Sequence, residues 1–287
     1  MGAYGINGIG HVAVAVRDVE KARETYARLG FSLTALGRNA ALLTAGHSIP
    51  FADGDSLELL GLEGTHVATA PAAALLKERE GAAILGLKAD DARAVWAELA
   101  SAGLSGGDVV DAAVVGGGQD VRLSLTPVAA SATPGACAMA CQTHGRDALW
   151  RTETMVHENT AQGLAAVIVT AADVDGVAGA YGRLFGTEPA PHASARVVTT
   201  GTAPIVVATP DSLRWTWGDD PLLDLPAPRL AGVVVRVAAR DAAQQALQKS
   251  KFPAMGSDGI FRVSSVHAHG VMLALTESLD LGRLIPR

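Results

Sequence analysis

The sequence predicts an α+β protein of four βαβββ modules, paired into two curved antiparallel sheets with helices outside and a concave cleft inside. One observation is a recurring unit, in which an apolar strand leads into an amphipathic helix of about three turns. This unit begins near Gly10, Ala82, Leu164 and Leu230. A second observation is that short strands separated by turn residues follow the helices. An internal repeat of this kind determines how the whole chain is divided.

The first module is the clearest of the four. Its strand, helix and three further strands are predicted, in order, at residues 9–16, 18–29, 31–36, 40–45 and 56–62. Gly30 closes the helix, and residues 46–55 contain the Gly, Pro, Ser and Asp residues typical of a turn.

The later modules follow after an alanine-rich linking helix predicted at residues 68–81. The second module has its strand, helix and three further strands at residues 84–89, 90–102, 109–115, 121–128 and 136–142. The third spans residues 164–217 with a helix at 175–185. The fourth spans 231–277, with a helix at 241–249 and strands at 259–268 and 271–277. Tyr26 and Tyr181 occupy matching helix positions and are expected in the core.

Domain organisation follows from the size of these modules. A unit of roughly 50–60 residues buries too little apolar surface to fold alone. We therefore expect modules one and two to form a domain at residues 1–145 and modules three and four a domain at 163–287. The polar segment 146–162 is predicted to connect them. The concave cleft of a paired sheet is where a small molecule would bind.

Composition excludes several classes of protein. Apolar residues make up 49% of the chain and charged residues 18%, which indicates a folded protein. The net charge of −6 argues against nucleic acid as the main partner. No stretch approaches the ~18 continuous apolar residues of a membrane span.

The cysteines and the N-terminus favour a cytoplasmic protein. Residues 1–10 lack the basic segment and the apolar core of a secretory signal. Cys137 and Cys141 are the only cysteines, and along a strand they would stand roughly 13 Å apart. Because a disulfide reaches only about 7 Å, we expect both thiols to be reduced, as is usual in the cytoplasm.

Several segments resemble the vicinal oxygen chelate superfamily, which includes glyoxalase I, bleomycin-resistance proteins and type I extradiol dioxygenases. The matching residues are GHVAVAVRD at 10–18, YARLGF at 26–31 and SLELL at 56–60. The segment CQTH at 141–144, leading to Trp150 and Arg151, is similar to the end of the double-module glyoxalase-like branch. The resemblance implies a divalent metal in the cleft, held by side chains from the first and last strands of paired modules.

The ligands that this resemblance implies can be assigned by position. His11 on the first strand and Glu58 on the last strand of module one match the family pattern, and Gln142 or His144 would complete the set. His nitrogen and Glu oxygen are normal ligands of Zn, Ni, Mn or Fe(II). Glu58 would also act as a catalytic carboxylate that moves protons.

The remaining modules depart from the pattern. Their first-strand positions carry no ligating side chain: Ala83, Ala166 and Gly232. Extradiol dioxygenases need His at such a position, which places that function third among the alternatives. In the second half only Glu277, with His267 and His269 nearby, could build a metal site.

Each candidate also has a structural interpretation. His11 could be a buried histidine that is hydrogen-bonded to a neighbour, and Glu58 could face solvent. Gln142 and His144 could end a strand and cap the connector. The residues alone leave both interpretations open.

The leading hypothesis is a metal-dependent enzyme of glyoxalase type, in which the metal acts as a Lewis acid on a small oxygenated molecule and stabilises an enediolate-like state. The alternative is a non-catalytic protein that binds a small, antibiotic-like or aromatic molecule. The partner in either case is a small molecule, and a homodimer is compatible with the sequence.

Overall fold

The computed structural model describes residues 2–116, 120–145, 148, 150–256 and 259–285. In the first half the elements are, in order, β1 (Ile6–Ala15), α1 (Val19–Arg28), β2 (Gly37–Asn39), β3 (Thr44–Pro50), β4 (Ser56–Leu62), α2 (Ala70–Glu78), β5 (Gly81–Ala89), α3 (Ala92–Ser101), β6 (Val110–Val114), β7 (Val121–Pro127) and β8 (Cys137–His144).

The second half repeats this order. Its elements are α4 (Thr152–Met155), β9 (Ala161–Thr170), α5 (Val174–Phe185), β10 (Ala190–His192), β11 (Ala195–Val198), β12 (Ile205–Ala208), α6 (Pro210–Trp217), β13 (Arg229–Val237), α7 (Arg240–Ser250), β14 (Ala254–Met255), β15 (Ile260–Val263), β16 (Met272–Thr276) and α8 (Leu281–Leu284). In the part of the chain that is described, no helix is long and apolar enough to cross a membrane.

The strands form two eight-stranded sheets, in the orders β2-β3-β4-β1-β5-β8-β7-β6 and β10-β11-β12-β9-β13-β16-β15-β14. The predicted α+β fold of four paired modules is therefore confirmed. The sheets are mixed, however, and not antiparallel throughout, since β1 is parallel to β4 and β5 is parallel to β8. The reason is that α1 returns the chain across the sheet, and two hairpins then leave β4 running in the direction of β1.

Each module helix covers the convex side of its sheet. Along β1, Val12 and Val14 face the helices, whereas Ala13 and Ala15 face the concave side. The helix-covered faces of both sheets share one hydrophobic core. The helices therefore lie outside each cleft, as predicted, but they are inside the molecule, between the two sheets.

Two buried tyrosines join the halves across this core. The hydroxyl of Tyr26 on α1 donates to the carbonyl of Ala268 at 3.2 Å, and that of Tyr181 on α5 donates to the carbonyl of Pro134 at 3.1 Å. The connector adds His157, whose Nδ1 accepts from the backbone N–H of Ser32 at 2.9 Å. Residues 146, 147 and 149 of the predicted connector lie outside the described part of the chain, and β9 begins at Ala161.

Several predicted segments differ from the structure. The strands predicted at 31–36 and 40–45 are displaced along the chain: residues 31–36 belong to no helix or strand, β2 is Gly37–Asn39, and residues 40–43 form a turn before β3.

The first half of the turn predicted at 46–55 is strand, because β3 pairs with β4 from Thr44 to Pro50, with His47 opposite Leu59. His47 is buried and its Nδ1 donates to the Thr34 carbonyl at 2.9 Å. Tertiary pairing thus outweighs the local turn signal.

The strand predicted at 259–268 ends at Val263. A 3-10 turn follows, because the backbone N–H of Ser265 and the hydroxyls of Ser264 and Ser265 all donate to the buried carboxylate of Asp220. His267 and His269 therefore do not share a strand face.

Asp55 makes a buried polar contact between the halves. It is 3% exposed, and its Oδ2 accepts from the backbone N–H of Leu164 at 3.2 Å. Its Oδ1 is buried with no hydrogen-bond partner among the described residues. Burial is the main cause that raises the pKa of Asp55 to about 6 from 3.8.

This shift predicts how stability depends on pH. The folded protein keeps a proton on Asp55 that the unfolded chain has already released above its ordinary pKa. The contribution of Asp55 is therefore fully present below the unfolded value and is lost as pH rises through about 6. We expect Asp55→Asn to raise the free energy of unfolding near neutral pH by up to about 3 kcal/mol, and to flatten the fall in stability above pH 4. Urea unfolding across a pH series measures both.

Asp53→Asn is the matched control. Asp53 is half-exposed and pairs with Arg236, and its charge contributes only a minor part of the raised Asp55 pKa. Its substitution should lower stability slightly and change the pH slope much less than Asp55→Asn does. An Asp55→Asn protein that is less stable than the wild type near neutral pH would contradict the assignment.

Candidate functional site

A cavity of about 390 Å³ lies on the concave face of the first sheet. Its apolar wall comes mainly from Leu60, Ile84, Leu123, Leu125 and Met139. A volume of this size is in the range of small-molecule sites, which are typically apolar with a few polar groups. The chemistry of the site therefore depends on which polar side chains enter it.

His11 and Glu58 both enter this cavity. In the parallel ladder of β1 and β4, Glu58 lies beside Ala13, two residues along the strand from His11. Because side chains two residues apart point to the same face, both project inward. His11 Nε2 lies 3.9 Å from Glu58 Oε2, and the side chains are 23% and 30% exposed. This distance is too long for a hydrogen bond.

Burial acts in opposite directions on the pKa values of this pair. It lowers the pKa of His11 to about 4 and raises the pKa of Glu58 to about 7. Both shifts favour the uncharged form. Burial also raises the pKa of the nearby Cys141 thiol to about 12, with a smaller contribution from the charge of Glu58. Cys141 is therefore a thiol, not a reactive thiolate, at neutral pH.

Gly86 gives the His11 ring its place. His11 lies opposite Gly86 in the antiparallel ladder of β1 and β5. A Cβ atom at Gly86 would stand 2.0 Å from Cε1 and 2.1 Å from Nδ1 of His11. Since such distances are far below van der Waals contact, the ring can lie over β5 only because residue 86 has no side chain. A glycine inside a strand is a sequence signal of close approach.

The second module carries an apolar residue at the position of His11. Asp18 caps α1 and Asp91 caps α3, and His11 and Ile84 each stand seven residues before their cap. The structural equivalent is thus Ile84, one residue beyond the Ala83 expected from the sequence. Neither residue can bind a metal.

The position of Glu58 has an apolar equivalent as well. Glu58 lies beside Ala13 in the β1–β4 ladder, and Met139 lies beside Gly86 in the β5–β8 ladder. Gly86 follows Ile84 by two residues, as Ala13 follows His11. Met139 is therefore the counterpart of Glu58, and it is buried in the same cavity wall.

Gln142 and His144 are occupied elsewhere. Gln142 lines the cavity, but its Oε1 accepts from the backbone N–H of Ala92 at 3.1 Å and so caps α3. His144 is exposed at the end of β8, and its Nε2 lies 3.1 Å from the Ser124 hydroxyl. That hydroxyl in turn donates to Asp111 at 2.8 Å. The structure therefore brings Gln142 into the same cavity as His11 and Glu58, with its Oε1 already engaged, and leaves His144 outside the described lining.

The three candidates of the second half are separated. Glu277 accepts from the backbone N–H of Arg240 at 2.8 Å, and His267 stacks on Phe252 with ring centroids 5.6 Å apart. His269 Nδ1 lies 2.7 Å from the Glu80 carboxylate, between the two halves.

The concave face of the second sheet is filled. Leu213 and Trp217 of α6 pack there against Ile168 and Val206, and Leu284 of α8 joins the same cluster. Trp217 is 1% exposed. In the first half the equivalent linker α2 covers only part of the concave face, which leaves the cavity open beside it.

The donor set can be compared with what a catalytic metal needs. Such sites typically have three protein ligands and one open position. Among the described residues, no group of three His, Cys, Asp or Glu side chains is placed to hold one ion. His11 and Glu58 form half of a site, with Ile84 and Met139 at the two matching positions. His11 and Glu58 thus supply two of the three or more protein ligands that a resident catalytic metal usually has.

Other polar groups line the cavity that the sequence did not single out. Asn7 Nδ2 donates to Asp90 Oδ2 at 2.9 Å, and Lys88 lies on the same wall. Asn39 is buried and its Oδ1 accepts from the backbone N–H of Leu42 at 3.1 Å. Of these residues, only Lys88 could have been assigned to the cavity from the sequence, because it stands two residues from Gly86 in the alternating pattern of β5. Asn7 and Asn39 lie near strand ends, where alternation gives no direction.

The contact between Gly86 and His11 can be tested. We expect Gly86→Ala to destabilise the protein by about 1–3 kcal/mol, because the added methyl group overpacks the imidazole ring. The cost should largely disappear in the His11→Ala background, where the ring is absent. Urea unfolding of both single variants and the double variant measures this coupling.

Gly179→Ala is the control for this series. A Cβ atom at Gly179 on α5 would meet only Arg183 Nη1, at 3.7 Å. The substitution should be neutral or stabilising, since alanine favours a helix. An undiminished cost of Gly86→Ala without the ring would show that some other contact is responsible.

Comparisons with known proteins agree with this fold. The family model of a glyoxalase-like domain matches residues 9–185, which is more than half of the chain. No curated protein matches the sequence.

Among solved structures, a hypothetical protein from Staphylococcus aureus has a TM-score of 0.64 and 11% identity, over 93% of this chain and 97% of the other. A mutant of 4-hydroxymandelate synthase from Streptomyces coelicolor has a TM-score of 0.61 and 12% identity, over 100% and 98% of the two chains. The Mn(II)-bound glyoxalase from Novosphingobium aromaticivorans has a TM-score of 0.58 and 10% identity, over 96% and 83%.

At such low identity these structures show the fold alone. Together with the family match and the two paired-module sheets, they identify the architecture. The chain belongs to the glyoxalase-like domain family of the vicinal oxygen chelate superfamily.

Proposed function

We propose that the protein binds one small molecule in the cavity of its first half, with the apolar body of that molecule against the cavity wall and one polar group at His11 and Glu58. One observation carries this proposal. Of the four symmetry-related positions from which metal ligands would come, two hold His11 and Glu58, and the other two hold the apolar residues Ile84 and Met139. Those side chains extend the apolar wall at the place where a metal would need donors.

The polar end of the cavity supports a neutral ligand group. Both pKa values are shifted toward the uncharged forms. The neutral imidazole offers one donor and one acceptor, and the Glu58 carboxyl, whose pKa is about 7, accepts and in its protonated form also donates. Their tips are 3.9 Å apart, so a single carbonyl or hydroxyl oxygen can contact both groups. At this distance His11 and Glu58 do not hydrogen-bond to each other, and such an oxygen would give each of them a partner.

A second candidate is the metal-dependent enzyme of glyoxalase type. It is favoured by the convergence of one imidazole and one carboxylate on the cavity, because both groups are common metal ligands. It requires that two protein ligands, with water or substrate oxygens, hold the ion. When bound, a divalent ion would supply Lewis-acid polarisation of a substrate oxygen, and His11 and Glu58 would hold it.

The binding proposal predicts a polar and an apolar component of affinity. Titration calorimetry with 4-hydroxyacetophenone, a neutral aromatic ketone, should give saturable binding that EDTA does not abolish. His11→Phe and Glu58→Leu should each weaken this binding by about tenfold, the cost of one lost hydrogen bond. The affinity for toluene, which has no polar group, should change much less in these two variants.

His144→Phe is the matched control, because His144 lies outside the described lining of the cavity. It should leave the affinity for the ketone unchanged. Binding that depends on added metal, or that neither His11→Phe nor Glu58→Leu weakens, would contradict the proposal.

Metal affinity separates the two candidates. We expect the protein, purified without a metal-affinity tag, to carry well under one equivalent of metal and to bind Zn(II) weakly. The double variant Ile84→His/Met139→Glu should bind Zn(II) at least about a hundredfold more tightly, since it completes a four-ligand set. Atomic absorption and calorimetry measure both quantities.

The double variant Ile84→Gln/Met139→Gln is the control for size and polarity and should gain much less. Stoichiometric metal in the wild-type protein that is lost in His11→Ala would favour the metal-dependent enzyme over the binding protein.

A further inference from the structure

A second large depression lies between the two halves, away from the first-half cavity. This interdomain groove has a volume of about 840 Å³ and is lined by α1, the end of α2, the segment before β13 and residues 265–270. Five cationic side chains but only three carboxylates line it, together with two histidines. The groove is therefore positive although the whole chain has a net charge of −6.

Four of these cations are arginines, and each is held by main-chain carbonyl oxygens. The carbonyls belong to Leu76 for Arg17, Ser250 for Arg28, Glu80 for Arg79, and Leu222 and Pro226 for Arg229. Over the described residues, none of the four lies within ion-pair distance of a carboxylate. Carbonyl oxygens fix the guanidinium groups in place but do not neutralise their charge.

The carboxylate of Glu80 is engaged elsewhere. Its Oε2 lies 2.7 Å from His269 Nδ1, and its Oε1 accepts from the backbone N–H of Arg17 at 2.7 Å. Glu80 thus holds the two halves together across the groove, and it is not an ion-pair partner for the arginines.

Arg79 and Arg229 experience each other's charge. Burial and the positive charge of Arg79 lower the pKa of Arg229 to about 10, against a smaller opposite effect of the nearby Glu78 carboxylate. Nε of Arg229 is also buried, with no hydrogen-bond partner among the described residues. Two like charges together with an unused donor are relieved by an anion with several acceptor oxygens.

Part of the groove lining is apolar. The guanidinium of Arg28 lies 4.2 Å from the ring centre of Phe252, a cation–π contact that leaves other N–H groups available. Val266 is 65% exposed and Leu225 is 36% exposed, and both line the groove. A ligand with a charged head and an apolar body matches these two kinds of lining.

We propose that the interdomain groove binds a small organic phosphate, with its phosphate at Arg79 and Arg229 and its apolar body against Leu225 and Val266. Phosphate oxygens match the planar fork of arginine in geometry and charge. This site is separate from the cavity at His11 and Glu58, so the two proposals stand or fall independently.

Calorimetric titration with 1-naphthyl phosphate tests this site in the full-length protein. We expect saturable binding, at least about tenfold tighter than that of inorganic phosphate. Arg79→Gln and Arg229→Gln should each weaken the binding by about tenfold or more, because each removes a charged donor. Raised salt should weaken it as well.

Val266→Glu keeps the test valid if an arginine variant fails to fold. The residue is exposed, so the substitution should leave the fold intact while it places a negative charge in the groove, and binding should weaken. Arg93→Gln removes a cation that pairs with Asp111 outside the groove, and Glu58→Leu alters the cavity. Both should bind like the wild type.

Two results would overturn the proposal. One is the absence of saturable binding of 1-naphthyl phosphate up to about 10 mM, which is weaker than a specific site. The other is equal weakening in Arg93→Gln and Arg79→Gln, which would mean that the anion responds to overall charge and not to this groove.

Discussion

The antiparallel pairing of β1 with β5 is the contact on which the rest of the structure depends. It joins two modules, neither of which has enough apolar surface for a core of its own, into one sheet. It also sets the inward direction of His11 and places that ring over Gly86. The pairing of β9 with β13 repeats the arrangement in the second half. The cavity, its polar pair and the helix layer are all positioned from these two central ladders.

The halves share this scaffold but use it differently. The first keeps an open concave face with one imidazole and one carboxylate, and the second packs Trp217 and its neighbours into the same place. Within the first half, module one retains polar residues at the inward positions, whereas module two has Ile84 and Met139. A fold that offers four symmetric positions is thus used asymmetrically, which is why membership of the family does not by itself assign a reaction.

The sequence predicted what depends on local periodicity. Alternating strands and helical spacing gave the four modules and their pairing, and the family resemblance selected His11 and Glu58. Contacts formed only in the folded state were missed. The resemblance predicts a metal-ligand role for Gln142. Its actual partner, the backbone N–H of Ala92 at the start of α3, is 50 residues away in the sequence, and only folding brings the two together. The Ser265 turn depends on Asp220, and the strand character of residues 44–50 depends on β4. Gly86 could have been found, since a glycine inside an apolar strand indicates a close neighbour.

The shared helix layer has a consequence for how the chain comes apart. Buried residues of both halves form one hydrophobic cluster, so neither half has a complete hydrophobic interior of its own. Within that cluster α1 and α5 also present their tyrosine hydroxyls to carbonyls of the opposite half. Separating the halves between β8 and β9 would expose the apolar faces of the helices on each fragment. It would also leave the carbonyl oxygens of Ala268 and Pro134 without their tyrosine donors. Because the two halves share this one cluster, we expect them to unfold together and not as separate domains.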